Sequence, residues 1–186
     1  METIRSYLGG RVEVAVGDIT LFEGDAIVNA ANSALAGGGG VDGAIHRAAG
    51  PRLMAECRTL RAGPLPDGLP AGRAVATGAG RLPVKGVIHA VGPIWRGGTA
   101  DEPAILASTY TESLSIAATR GWDRVAFPAI STGVYGYPKA LAARVAYEAV
   151  SSFLASRDRP RVVSLVFFSR ADAEAFIRAV GEPERA

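Results

Sequence analysis

The chain is poor in the residues that crosslink or ligate metals. Among 186 residues it has one cysteine, Cys57, and two histidines, His46 and His89. One cysteine excludes an internal disulfide and suggests a reducing, cytoplasmic compartment. Cys57 lies in Leu53-Met54-Ala55-Glu56-Cys57, a helical context without a second cysteine, and reads as a packed core thiol. Two histidines and one distant cysteine make no credible ligand set, so no metal is expected, structural or catalytic, and no cofactor. An excess of one charge is also missing. Twenty Lys+Arg against 18 Asp+Glu leave +2, too little to suggest general nucleic-acid binding. No apolar run approaches the ~20 residues that cross a bilayer, so no membrane partner is expected. Met1-Glu2-Thr3-Ile4-Arg5 lacks a signal-peptide core. The Walker pattern ending in Gly-Lys-Ser/Thr is absent. A G-x-G-x-x-G pattern can be forced onto Gly38, Gly40 and Gly43, but inside a glycine run it is weak, and no convincing acid follows at a strand end. No repeat of 20–50 residues is visible.

What is present is an ordinary globular composition, 48% hydrophobic and 20% charged, with 23 clustered glycines. The length fits one domain, with a core over about residues 11–180 and no composition break. Arg11 to Val16 alternates and reads as a strand. Ala26-Ile27-Val28, Ala74-Val75-Ala76, Val87 to Val91, Val125-Ala126-Phe127 and Val162 to Phe168 read as further strands, several of them wholly apolar and buried. Helices are expected from Gly43 to about Leu60, Pro103 to about Thr119, Pro138 to about Ser156, and from about Asp172. The third of these presents Leu141, Val145, Ala149 and Phe153 as its buried stripe. Prolines and glycines between Leu60 and Arg73 mark a loop. Strands alternating with helices predict an α/β protein, a three-layer α/β/α sandwich on a mostly parallel mixed sheet.

Two glycine-bearing loops carry the functional signal. Loop one runs from Asn29 through Asn32 and Gly37-Gly38-Gly39-Gly40 to Val41-Asp42-Gly43-Ala44-Ile45-His46. Loop two is Ile130-Ser131-Thr132-Gly133-Val134-Tyr135-Gly136. Each follows a strand pattern and precedes a helical one, the arrangement that places backbone N–H groups and a helix N-terminus around a phosphate. Two such loops suit a diphosphate.

Five ordered motifs carry a resemblance. They are Gly17-Asp18-Ile19-Thr20, Ile27 to Asn32, Gly38 to His46, Val87-Ile88-His89 with Val91-Gly92-Pro93, and Phe127 to Pro138. Together they resemble the macrodomain family, over about residues 11–180, and in spacing its MacroD-type branch. The resemblance implies an α/β/α macrodomain that binds ADP-ribose. It further implies hydrolysis of ADP-ribose esters, on modified Asp or Glu side chains of proteins and in O-acetyl-ADP-ribose. Departures are small: Pro and Gly enrich residues 60–73, and Ala90 follows His89 where Thr is expected.

Each residue so implicated also has a plainer reading. Asp18 is expected to accept from the adenine amino group and Ile19 to offer its N–H to the ring; Asp18 alone reads as a turn residue after Gly17. Asn29 and Asn32 are implied at the distal ribose, or stabilise the turn. Asp42 is implied to position or activate a water, with Asn32 holding the ribose; an Asp just before a helix also reads as an N-cap. Gly40, Val41, Gly43 and Ile45 are implied around the ligand, whereas His46 reads as structural. Ser131, Thr132, Gly133, Val134 and Tyr135 are implied to wrap the phosphates, with Tyr135 beside the distal ribose or packed in the core. Phe168 stacks on adenine or packs inside. The expected partners are ADP-ribose, O-acetyl-ADP-ribose and ADP-ribosylated proteins, and the expected assembly is a monomer. A module that binds ADP-ribose without cleaving it is the alternative, and Asp42 separates the two.

Overall fold

The computed structural model describes residues 1–181. The last five residues of the expected domain span, 182–186, lie outside the described residues. Seven strands form one mixed sheet: β1 Glu2–Tyr7, β2 Val12–Val16, β3 Ala26–Ala30, β4 Ala74–Thr77, β5 Gly86–Ala90, β6 Arg124–Phe127 and β7 Val162–Phe167. Their spatial order is β1-β2-β7-β6-β3-β5-β4. The five central strands run parallel, and the outer strands β1 and β4 pair antiparallel. Five helices connect them: α1 Gly40–Ala49, α2 Pro51–Ala62, α3 Glu102–Thr119, α4 Lys139–Ala155 and α5 Arg170–Val180.

The central strands are apolar on both faces because helices cover both. Val12, Val14, Ala26, Val28, Ile88 and Phe127 pack with Leu106, Tyr110 and Leu114 of α3, Val150 and Phe153 of α4, and Phe176 of α5. Ile27, Val87, Ala126 and Val166 pack on the other face with Ile45 and Ala49 of α1 and Leu53 of α2. The period of two therefore sends Asn29 to the face of Ile27, under α1. Pairing of β3 with β5 sets His89 directly beside Asn29.

Three expectations are corrected. The helix expected from Gly43 to Leu60 is two helices. Gly50, at φ 77°, closes α1, and Pro51 opens α2 without an N–H to continue the first ladder. Strand β1 is additional and extends the sheet to Glu2. It is an edge strand, with Glu2 and Arg5 in place of apolar alternation. Leu141 on α4 is 44% exposed, and the buried stripe is Ala142, Ala146, Ala149, Val150 and Phe153 with Ala143 and Leu154.

Candidate active site

Adjacent parallel strands end at one edge of the sheet, where α/β proteins place their ligands. Beyond β2 come Gly17, Asp18 and Ile19; beyond β3, Ala31 and Asn32; beyond β6, Ile130 to Tyr135; beyond β7, Phe168. All of them line one cleft of about 1010 Å³, together with Gly38 to Asp42 at the start of α1. This is at the upper end of the volumes that hold a drug-sized ligand.

Loop two is built to donate. Its internal bonds run from the Gly136 N–H to the Gly133 carbonyl, 2.9 Å, and from the Tyr137 N–H to the Ser131 carbonyl, 3.0 Å. Among the described residues no group accepts from the amides of Ser131, Thr132, Gly133, Val134 or Tyr135. Ser131 adopts φ 65°, a conformation costly for a non-glycine residue. It is buried, and its Oγ has no partner although it lines the cleft. Strain and an unsatisfied hydroxyl coincide where a ligand would sit.

Loop one supplies a bare helix N-terminus. The N-cap of α1 is Gly39, with no side-chain cap bond. The amides of Gly40, Val41 and Asp42 have no intrahelical acceptor, so the positive end of the helix dipole opens on the cleft. The N-cap reading of Asp42 is therefore overturned: Asp42 sits at the third helical position and its side chain turns inward. It is 6% exposed. Its Oδ1 accepts from Asn29 Nδ2 at 2.7 Å and lies 3.4 Å from His46 Nε2. Its Oδ2 has no hydrogen-bond partner among the described residues. A Cβ built on Gly38 would lie 3.2 Å from Oδ2 and 3.8 Å from Asn32 Nδ2, so these two groups converge on the backbone of the glycine run. One carboxylate oxygen is pinned and the other is free.

Asn32 lines the cleft and also braces loop one, donating to the Gly37 carbonyl at 2.8 Å and accepting from the Ala36 N–H at 3.3 Å. Asp18 makes the turn contact expected after Gly17. Its Oδ1 accepts from the Thr20 N–H at 2.9 Å and the Thr20 hydroxyl at 2.8 Å, while Oδ2 stays unpartnered in the cleft wall. Phe168 is 86% exposed and lies just past the end of β7, so core packing is excluded. Tyr135 lines the cleft, half-buried, and its carbonyl accepts from the Trp95 N–H. Three expected ligand contacts are not in the wall. Asn29 is fully buried behind Asp42, Ile45 is core, and Gly43 faces the Gly38 carbonyl.

The Macro domain family model matches residues 28–146. The chain belongs to the macrodomain family. An O-acetyl-ADP-ribose deacetylase of Cronobacter sakazakii is 51% identical over 175 residues, 94% of this chain and 96% of that protein. One of Escherichia coli K12 is 49% identical over 168 residues, 90% and 94%. The solved Oceanobacillus iheyensis macrodomain with ADP is 39% identical, with a TM-score of 0.91 over 96% of this chain and 94% of that one. The Trypanosoma brucei macrodomain in complex with ADP-ribose is 36% identical, with a TM-score of 0.82 over 92% and 69%.

Two features of this macrodomain escape its sequence. Arg47, Lys139 and Asp172 also line the cleft. Arg47 follows from helical spacing, one turn beyond Gly43, but Asp172 is brought by its ion pair with Lys139, at 2.5 Å across α4 and α5. The second feature corrects the reading of Cys57 as distant. One ligand-type atom from each of His46, Cys57 and His89 falls within 4.8 Å of the others. Their chemistry does not favour a metal. Burial pushes the Cys57 thiol up to about 11, helped by the charges of Asp42 and Glu56, so it stays protonated. Burial pulls His89 down to about 3, helped by His46, so it stays neutral. Both His89 nitrogens are already engaged: Nδ1 lies 3.2 Å from Asn29 Nδ2, and Nε2 lies 3.0 Å from Thr77 Oγ1.

Proposed function

We propose that this macrodomain binds ADP-ribose and hydrolyses its esters, O-acetyl-ADP-ribose and ADP-ribosylated Asp or Glu side chains of proteins. The observation that carries the reading is Asp42: nearly buried, one oxygen held by Asn29, the other free toward Gly38 at the N-terminus of α1. A ligand that fills the cleft sets adenine against Asp18, Ile19 and Phe168. Its pyrophosphate lies between the open amides of loop two and the first turn of α1, where backbone donors and the helix dipole favour an anion. The distal ribose then reaches Asn32 and Tyr135. Asp42 Oδ2 orients a water at the ester, which adds across the bond to give the free acid and ADP-ribose. Held in this way, water and ester gain from orientation rather than from a strong base.

The leaving group sets the substrate class. A carboxylate with a solution pKa of about 4 departs without an acid. An arginine-linked ADP-ribose needs protonation of its leaving group, and among the described residues no second carboxylate serves the Asp42 end of the cleft. Asp18 faces the adenine end in this reading, and Asp172 is paired with Lys139. The cleft is complete within one chain, which suits a monomer, and the lone buried cysteine suits a reducing cytoplasm.

The test is incubation of the purified protein with O-acetyl-ADP-ribose and with a glutamate-ADP-ribosylated protein. Release of acetate in the first case and of ADP-ribose in the second is the expected result. Tight binding of ADP-ribose with turnover of neither substrate would make the protein a reader and overturn the hydrolase reading.

A further inference from the structure

Both N–H bonds of the Asn29 amide are spent inside the protein. One donates to Asp42 Oδ1 at 2.7 Å, and the other points at His89 Nδ1, 3.2 Å away. The Asn29 oxygen, fully buried, has no partner among the described residues. A buried acceptor left unpaired costs about 1–3 kcal/mol. Turning the amide over would set that oxygen against the Asp42 carboxylate, so the orientation is forced. For Nδ1 to accept, the His89 proton must sit on Nε2. There the Thr77 hydroxyl lies 3.0 Å away, and that hydroxyl donates to the Gly78 carbonyl at 2.9 Å, leaving its lone pairs free to accept. Donation thus runs outward from the Asn29 amide on β3, one way to Asp42 and the other through His89 on β5 to Thr77 on the outer strand β4 and on to the Gly78 carbonyl. The sheet register dictates it, because β5 pairs His89 with Asn29.

We infer that His89 is a positioning residue for hydrolysis: its Nε2–H form, held by Thr77, fixes the Asn29 amide, which pins Asp42 Oδ1 and leaves Oδ2 aimed at the cleft. His89 is fully buried and does not line the cleft. The inference rests on the hydrolase reading above. It predicts that loss of the Nδ1 acceptor lowers kcat and spares ADP-ribose binding.

His89→Leu keeps bulk and removes the acceptor. It should lower kcat on O-acetyl-ADP-ribose by roughly 10–100-fold, the scale seen when the outer hydrogen-bond partner that orients a metal ligand is removed. The Kd for ADP-ribose should stay near the wild-type value. His89→Asn returns a carboxamide oxygen close to the Nδ1 position and should recover most of the lost kcat. Thr77→Val, on the outer strand, removes only the Nε2–H acceptor and should lower kcat less. Two-bond proton–nitrogen spectra of the wild-type protein should show His89 neutral and protonated on Nε2 between about pH 5 and 8. Unchanged kcat in folded His89→Leu and Thr77→Val would overturn the inference, as would parallel loss of kcat and binding without rescue by Asn. An Nδ1–H tautomer would overturn it whatever the activity. A wild-type protein that leaves the ester intact would instead end the hydrolase reading, and the tautomer would then decide the relay by itself.

Discussion

At the scale of single residues, the site depends on which backbone and carboxylate groups are left unpartnered. Gly133 tests the backbone half. A Cβ there meets nothing within 4 Å, and the residue is not among the positive-φ glycines, so a side chain is tolerated by the fold. Gly133→Glu nonetheless puts a carboxylate into the open-amide loop, where phosphate charge is expected. Calorimetry should show ADP-ribose binding lost by about tenfold, one like-charge contact near the protein surface being worth about 1.4 kcal/mol. The melting temperature should stay near wild type. Retained affinity would place the phosphates elsewhere. Much of this level was legible in the sequence. Gly-rich runs after apolar strands announce anion loops, and Asp42 stood out beside four glycines. The direction of the Asp42 side chain was not legible. An Asp near a helix start is locally identical whether it caps or turns inward, and only the neighbouring strand carrying Asn29 decides.

At the scale of elements, loop one and α1 are joined by a contact that excludes a side chain. A Cβ on Gly43 would stand 2.4 Å from the Gly38 carbonyl oxygen. Ala is favoured over Gly in a helix interior by about 1 kcal/mol. Here the backbone clash wins, because neither group is a flexible side-chain end. Gly43→Ala should push the glycine run outward and destabilise the protein by about 1–3 kcal/mol, the range for overpacking. It should also weaken ADP-ribose binding. Urea unfolding and calorimetry on the same sample check this; a stabilised variant with full affinity would contradict it. Gly43 was expected to meet the ligand, and it instead sets the shape of the loop that does. The break between α1 and α2 was legible in Gly50-Pro51, but the apolar spacing of Ile45, Ala49, Leu53 and Cys57 runs across it and masks it. Strand β1 was illegible for another reason: an outer strand needs no apolar face, and its Glu2 pairs with Arg170 at 2.6 Å instead.

At the scale of the whole molecule, alternating strand and helix patterns fixed the layers, and turn residues fixed most boundaries. The relay under α1 was beyond such reading, since Asn29, Asp42, Thr77 and His89 meet only through strand order and register. The same relay gives the fold a pH dependence. His89 titrates at about 3 in the folded protein because burial, and then His46, disfavours its charge. Its ordinary value is about 6.5. The unfolded chain therefore binds more protons than the folded one between these values. Stability contributed by this group is complete above about pH 6.5 and falls by up to about 1.4 kcal/mol per pH unit as pH drops toward 3. Asp25 and Asp172, both held below the usual carboxylate range, act in the same direction at lower pH. For Asp25 the Lys85 contact and two backbone N–H groups outweigh burial; for Asp172 the Lys139 and Ser169 contacts do. Urea midpoints should fall steadily from pH 7 to pH 4.5, and more gently in His89→Asn. A flat wild-type profile would mean that His89 is not held neutral.

The central claim is that Asp42 orients the attacking water, and Asp42→Ala measures it. Turnover of O-acetyl-ADP-ribose and affinity for free ADP-ribose must be read on one folded preparation. The account predicts a loss of roughly 10²-fold or more in kcat, the scale for removing a positioned acid–base group, with a much smaller loss of affinity. An Asp42→Ala protein that hydrolyses the ester at the wild-type rate would contradict it.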